Sequence, residues 1–124
     1  MSAKHIEAYK TTQKAVLSGR EIEAAALTKA ANILQEIQNN WDAPDREEVL
    51  FQALKFNQVL WSIFQAELTD ENNPLPKKLR EDILSLSVFI DKRIIDVMAF
   101  PSPDKLTTII NINLSLAFGL RGES

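Results

Sequence analysis

The residues able to do acid–base or metal chemistry are few, and their placement does not suit it. His5 is the single histidine and there is no cysteine. Thiolate zinc sites, disulfides and cysteine nucleophiles are therefore excluded. A lone histidine near the start of a chain reads as an exposed side chain rather than a general base or metal ligand. The acidic pairs Glu47-Glu48 and Glu81-Asp82 are adjacent in sequence, so on a helix their side chains splay about 100° apart. They suit a solvated helix surface better than an acid–base pair, whose two members must face one reacting atom. No glycine-rich phosphate loop and no serine elbow is present. The expectation is a protein that needs no catalytic residue, no cofactor and no metal, and that works by gripping another macromolecule.

Two polar residues stand out against apolar surroundings. Asn57 and Asn113 each sit mid-row on a long apolar stripe. Either each bonds a backbone carbonyl of its own helix, or the two meet across helices and fix their register, as a buried polar residue at a core position can do. Trp61, Phe56, Phe64 and Phe89 read as core. Trp61 has a second reading at the edge of a groove, because tryptophan is enriched at binding hot spots. Leu84, Val88, Ile95 and Phe118 project off the main stripes of their helices and are candidates for a partner-binding surface, the kind of strip that takes an amphipathic helix. Self-association, or burial beneath the N-terminal helices, is the competing account of the same four residues.

Five helices are needed to position these residues. The first spans about Ala3 to Leu17 on a thin stripe of Ile6, Tyr9, Gln13 and Val16. Ser18-Gly19-Arg20-Glu21 reads as a capping box opening the second, which carries Ile22, Ala26, Ala30, Ile33 and Ile37 on one face and stops near Asn39-Asn40. The third opens at Asp42 with Pro44 in its first turn and runs to Leu68. Its row Leu50, Leu54, Asn57, Trp61, Phe64 and Leu68 steps by fours and threes without a break, flanked by Val49, Ala53, Phe56, Leu60 and Ile63. Asn72-Asn73-Pro74 closes the following turn, because the residue before proline avoids the helical region. The fourth helix runs from Pro76 to about Ala99 on Leu79, Ile83, Leu86, Ile90, Ile94 and Val97, with Lys92 and Asp96 spaced as a surface pair. Ser102 caps the fifth, with Pro103 and Asp104 in its first turn. That helix turns Leu106, Ile109, Ile110, Asn113, Leu116, Ala117 and Leu120 inward, and Gly119 or Gly122 ends it. Glu123 and Ser124 make a frayed tail.

A chain of 124 residues corresponds to one domain. Three glycines, 45% hydrophobic and 25% charged residues favour a folded all-α protein. Short links between long helices favour antiparallel neighbours. The expected architecture is a compact bundle across residues 1–124, with residues 42–122 forming the core helices. Residues 1–40 form an N-terminal arm that packs outside that core or projects from it. A net charge of −3 argues against nonspecific nucleic-acid binding, which needs clustered cations. Lys77, Lys78 and Arg80 lack the interleaved aromatics of an RNA platform. The first residues hold no apolar run of a secretory signal, and no window is long and apolar enough for a membrane span. A cytoplasmic location is expected.

Taken in order, several stretches resemble the FlaF family. Asn73-Pro74-Leu75-Pro76 leads into Leu79-Arg80, Ile83, Leu86 and Phe89. Pro101-x-Pro103-x-Lys105-Leu106 leads into Ile110-Asn111-Ile112-Asn113 and closes on Gly119-Leu120-Arg121-Gly122. Phe56-Asn57 with Leu60-Trp61, together with Ala8-Tyr9 and Arg20-Glu21-x-Glu23-Ala24, extend the resemblance over nearly the whole chain. It departs at Phe56, where the family often has tyrosine, and at Leu114, where it tends to have a basic residue. The resemblance implies a flagellar assembly factor that binds flagellin as a secretion chaperone and works beside the flagellin regulator FlbT. A second implied reading is regulation of flagellin expression through FlbT or flagellin mRNA, and a third is a self-associating structural adaptor.

Overall fold

The computed structural model describes residues 3–122, with side chains from Arg20 onward. Four helices follow one another: α1 (Ala3–Asn39), α2 (Arg46–Thr69), α3 (Lys77–Ala99) and α4 (Leu106–Leu120), the last entered through a 3₁₀ turn at Pro103–Lys105. No strand occurs among the described residues. The all-α bundle expected from sequence is present, with four helices rather than five. The side chains of the stripe Ile6, Tyr9, Gln13 and Val16 and of His5 and Ser18, and the tail Glu123-Ser124, lie outside what is described.

The missing boundary is at Ser18–Glu21, which lies inside α1 instead of starting a new helix. A glycine within a helix costs only about 1 kcal/mol relative to alanine, and no proline near Gly19 enforces a break. The buried face of α1 is also rotated by about a quarter turn from the expected one, at about 100° per residue. Ala24, Leu27, Ala31 and Leu34 recur at threes and fours and are fully buried, with Ala30 and Ile37 beside them. Ile22 is 70% exposed, and Ala26 and Ile33 are half-buried.

α1 is not peripheral. Its pairing with α4 is the most extensive helix–helix contact in the bundle; α2 against α3 and α1 against α2 follow, and α3 meets α4 sparsely. Ala24 and Ala31 on α1 and Ala117 on α4 are all fully buried. Such short side chains let two helix backbones approach closely. Gln38 ties the pair at one end, its Nε2 donating to the Pro103 carbonyl and to Thr107 Oγ1, each at 2.8 Å. Around the bundle the order is therefore α4, α1, α2, α3, with the seam between α3 and α4 left partly open.

α2 begins at Arg46 rather than near Asp42. Residues 40–45 turn instead: the Ala43 N–H bonds the Asn40 carbonyl and the Arg46 N–H bonds the Ala43 carbonyl, at 3.0 and 3.1 Å. The Arg46 guanidinium lies 4.2 Å over the Trp41 ring and covers that corner. From there the row Leu50, Leu54, Asn57, Trp61, Phe64 and Leu68 is buried throughout, as its spacing predicts. Each fully buried Leu or Phe contributes roughly 1.5–3 kcal/mol. In the flanking row Ala53 and Leu60 are buried, while Phe56 and Ile63 are exposed.

On α3 the buried set is Ile83, Ser87, Ile90, Ile94 and Val97. Leu79 and Leu86, expected in the same stripe, are exposed, and so is Phe89. These three lie on the side of α3 where α4 makes little contact. The expected Lys92–Asp96 surface pair is replaced, since Asp96 faces Arg93 at 3.9 Å and Lys105 at 3.0 Å. α4 ends at Leu120, and Gly122 follows with φ of 72°, the left-handed conformation that glycine adopts without a Cβ penalty.

Candidate functional site

A chain of buried hydrogen bonds joins α2 to α4. The Trp61 indole N–H donates to Asn113 Oδ1 at 2.9 Å. Asn113 Nδ2 donates to Asn57 Oδ1 at 2.6 Å, and Asn57 Nδ2 donates to the Ala53 carbonyl at 2.9 Å. Both readings of the asparagines are thus realised: Asn57 bonds its own helix, and the two amides meet across helices. All three side chains are fully buried. The backbones of α2 and α4 rarely come close, so this bridge supplies polar contact where backbone packing does not. Trp61, with its indole engaged and no exposed surface, stands in the core rather than at a groove edge, its ring tilted at 59° to that of Phe64 with centroids 5.7 Å apart.

The other candidate contact residues are dispersed. Val88 is 53% and Ile95 60% exposed, while Leu84 is half-buried and packs on the core. On the helical wheel these three lie next to Asp91, on its side away from the buried face, and the Asp91 carboxylate accepts a 2.9 Å bond from Gln65 of α2. The strip therefore borders α2. Phe118, 48% exposed, lies on the flank of α4 shared by Thr107 and Arg121, both of which bond to α1. It borders α1 and does not join the α3 strip in one patch.

The residues that do cluster were read as core. Leu79, Leu86 and Phe89, each about two-fifths exposed, lie on the flank of α3 away from Asp91. Asp96 on that flank reaches Lys105 at the start of α4, which orients it toward the open seam. Across the seam Ile112, Leu116 and Leu120 of α4 are half-buried. α4 carries no charged residue from Leu106 to Leu120, so this wall is uncharged. The signal available in sequence was that absence of charge on α4, together with apolar residues on more of α3 than one neighbour can cover. Sequence alone does not say which side stays open.

At the end of the bundle near the α2–α3 turn lies a cleft of about 330 Å³. Phe64, Leu68, Ile83, Leu116 and Leu120 give it apolar walls, and Arg20, Glu23, Glu67 and Asp70 stand around it. Burial, then a hydrogen bond and repulsion from the Glu67 carboxylate, push the Glu23 carboxyl up to about 7, against the weaker opposing pull of Arg20. Arg80 approaches from α3, its Nη1 3.4 Å from the Asp70 carbonyl. Among the described residues no three His, Cys, Asp or Glu side chains are grouped to hold a metal ion, and no helix is long and apolar enough to cross a membrane.

The fold and these surfaces define an all-α bundle with a polar bridge inside and an apolar seam left open outside. The chain matches the model of the flagellar protein FlaF across residues 5–120 and belongs to that family. No curated protein and no solved structure matches it.

Proposed function

We propose that this flagellar protein holds flagellin in the cytoplasm, as a secretion chaperone that covers an amphipathic terminal helix until export, and that it has no catalytic activity. The observation that carries this reading is the state of α3. It is packed well on one neighbour only and leaves apolar side chains open on both flanks: Val88 and Ile95 beside α2, and Leu79, Leu86 and Phe89 beside the α4 seam. Soluble monomers seldom leave this many large apolar side chains exposed on one helix without a use for them. An amphipathic helix laid in a groove with anchors at threes and fours is a recurring solution. Family membership supplies the flagellar setting.

The test is a pair of double variants, Val88→Glu with Ile95→Glu and Leu86→Glu with Phe89→Glu, assayed by co-purification with flagellin and by far-UV circular dichroism. At least one is expected to abolish stoichiometric, weakly salt-dependent flagellin binding with helicity retained. Binding to FlbT alone, or binding that collapses with added salt as RNA contacts do, would replace this reading with the regulatory one. A stable self-associated species without flagellin contact would replace it with the adaptor.

A further inference from the structure

We infer that the cleft between Glu23 and Leu120 is a second recognition site, one that takes a bulky apolar side chain flanked by lysine or arginine from a segment of a partner protein. The cleft lies at one end of the α3–α4 seam and shares Leu116 and Leu120 with it, and its test uses no flagellin. The argument starts from volume: about 330 Å³ accommodates one or two side chains and sits at the lower bound of ordinary small-ligand cavities. The deep walls, Phe64, Leu68 and Ile83, are each at most 5% exposed. They come from α2 and α3, so the floor is fixed by the core and suits an aliphatic anchor.

The mouth supplies the charge preference. Glu23 from α1, Glu67 from α2 and Asp70 just past its end face it, against Arg20 from α1 in the lining and Arg80, which is drawn to the Asp70 carbonyl. α4 contributes only Leu116 and Leu120; Arg121 is turned toward Thr28 of α1. The Glu23 and Glu67 side chains share a hydrogen bond, and Glu23 holds its proton up to about pH 7 through burial and that neighbour. An ammonium or guanidinium group against the pair favours the ionised form of Glu23. Binding such a group therefore expels a proton, and affinity rises as pH climbs through 7. A lysine of ordinary pKa, about 10.4, stays charged across that range. An anchor flanked by acidic residues meets repulsion instead.

The experiment titrates isotope-labelled protein with three capped alanine-based helical peptides. Each has two leucines four residues apart, flanked by lysines, glutamines or glutamates. Methyl shifts are expected at Ile83, Leu116 and Leu120, with the lysine peptide binding about tenfold tighter than the glutamine peptide at pH 8 and losing most of that advantage at pH 6. Glu23→Gln with Glu67→Gln, checked for unchanged helicity, is expected to make the three peptides alike and remove the pH dependence; the single variant Glu67→Gln, at an exposed position, serves if the double variant does not fold. Equal affinity for all three peptides, perturbation elsewhere, or shifts that follow protein concentration without peptide overturn the proposal, the last assigning the cleft to a second copy of this chain. Flagellin capture by the α3 flanks survives each of these failures.

Discussion

The two sides of this bundle are built from different material. On the α1–α4 side, Ala24 and Ala31 of α1 and Ala117 of α4 are wholly buried, as are Leu27, Leu34, Leu106 and Ile109. On the α3 side, only every third or fourth residue is buried, and leucine, valine, isoleucine and phenylalanine remain on the surface between them. Small residues allow two helices to close on each other and exclude water. Bulky residues on several faces of one helix cannot all be covered by one neighbour. One side is spent on stability, and the other is left with apolar surface to offer.

Matched truncations test that division most strongly. Leu34→Ala removes a fully buried side chain and is expected to cost about 2–5 kcal/mol in denaturant unfolding. A cost below about 1 kcal/mol would mean the α1–α4 side is not the tight one. Next in size is the polar bridge. Asn57→Leu leaves Asn113 Nδ2 without its acceptor in a dry interior and is expected to cost about 1–3 kcal/mol. Loss of dispersion in amide resonances of α2 and α4 would show in addition that the bridge sets a unique register. If stability and spectrum are both unchanged, the asparagines are merely tolerated. Smallest is Leu86→Ala on the open flank, expected to stay within about 0.5 kcal/mol of the parent. A large loss there would place Leu86 in the core and remove part of the proposed docking surface.

Legibility from sequence follows the same division. The α2 row was legible because large residues step by threes and fours without a gap, and such a row has one way to be buried. α1 was harder. Its buried face is largely alanine, which helices also use on their surfaces for its propensity, so Ile22 and Ile33 drew the expected face a quarter turn off. The Ser18–Glu21 break failed for a related reason, since a capping pattern permits a helix start without requiring one. Asn57 and Asn113 stood out because polarity inside an apolar row needs a partner, but nothing in sequence announced that Trp61 would extend the chain of bonds. For α3 the periodicity identified Ile83, Ile90, Ile94 and Val97. It gave no means of knowing that α4 would turn its flank to α1, which leaves Leu86 and Phe89 uncovered. The Glu23–Glu67 pair was not legible at all, because those residues are 44 positions apart and meet only after α1 and α2 pack.

The preference of α1 for α4 also bears on how the chain reaches this state. The most extensive pairing joins helices far apart in sequence, so it forms against the largest loss of chain freedom. The α2–α3 hairpin is local and can assemble as soon as both strokes have left the ribosome. Until residues beyond Leu106 emerge, the alanine and leucine face of α1 has no lid, and a product cut short before that point would be prey for proteases and chaperones. Emergence of α4 is thus the step that lets this face of α1 be covered.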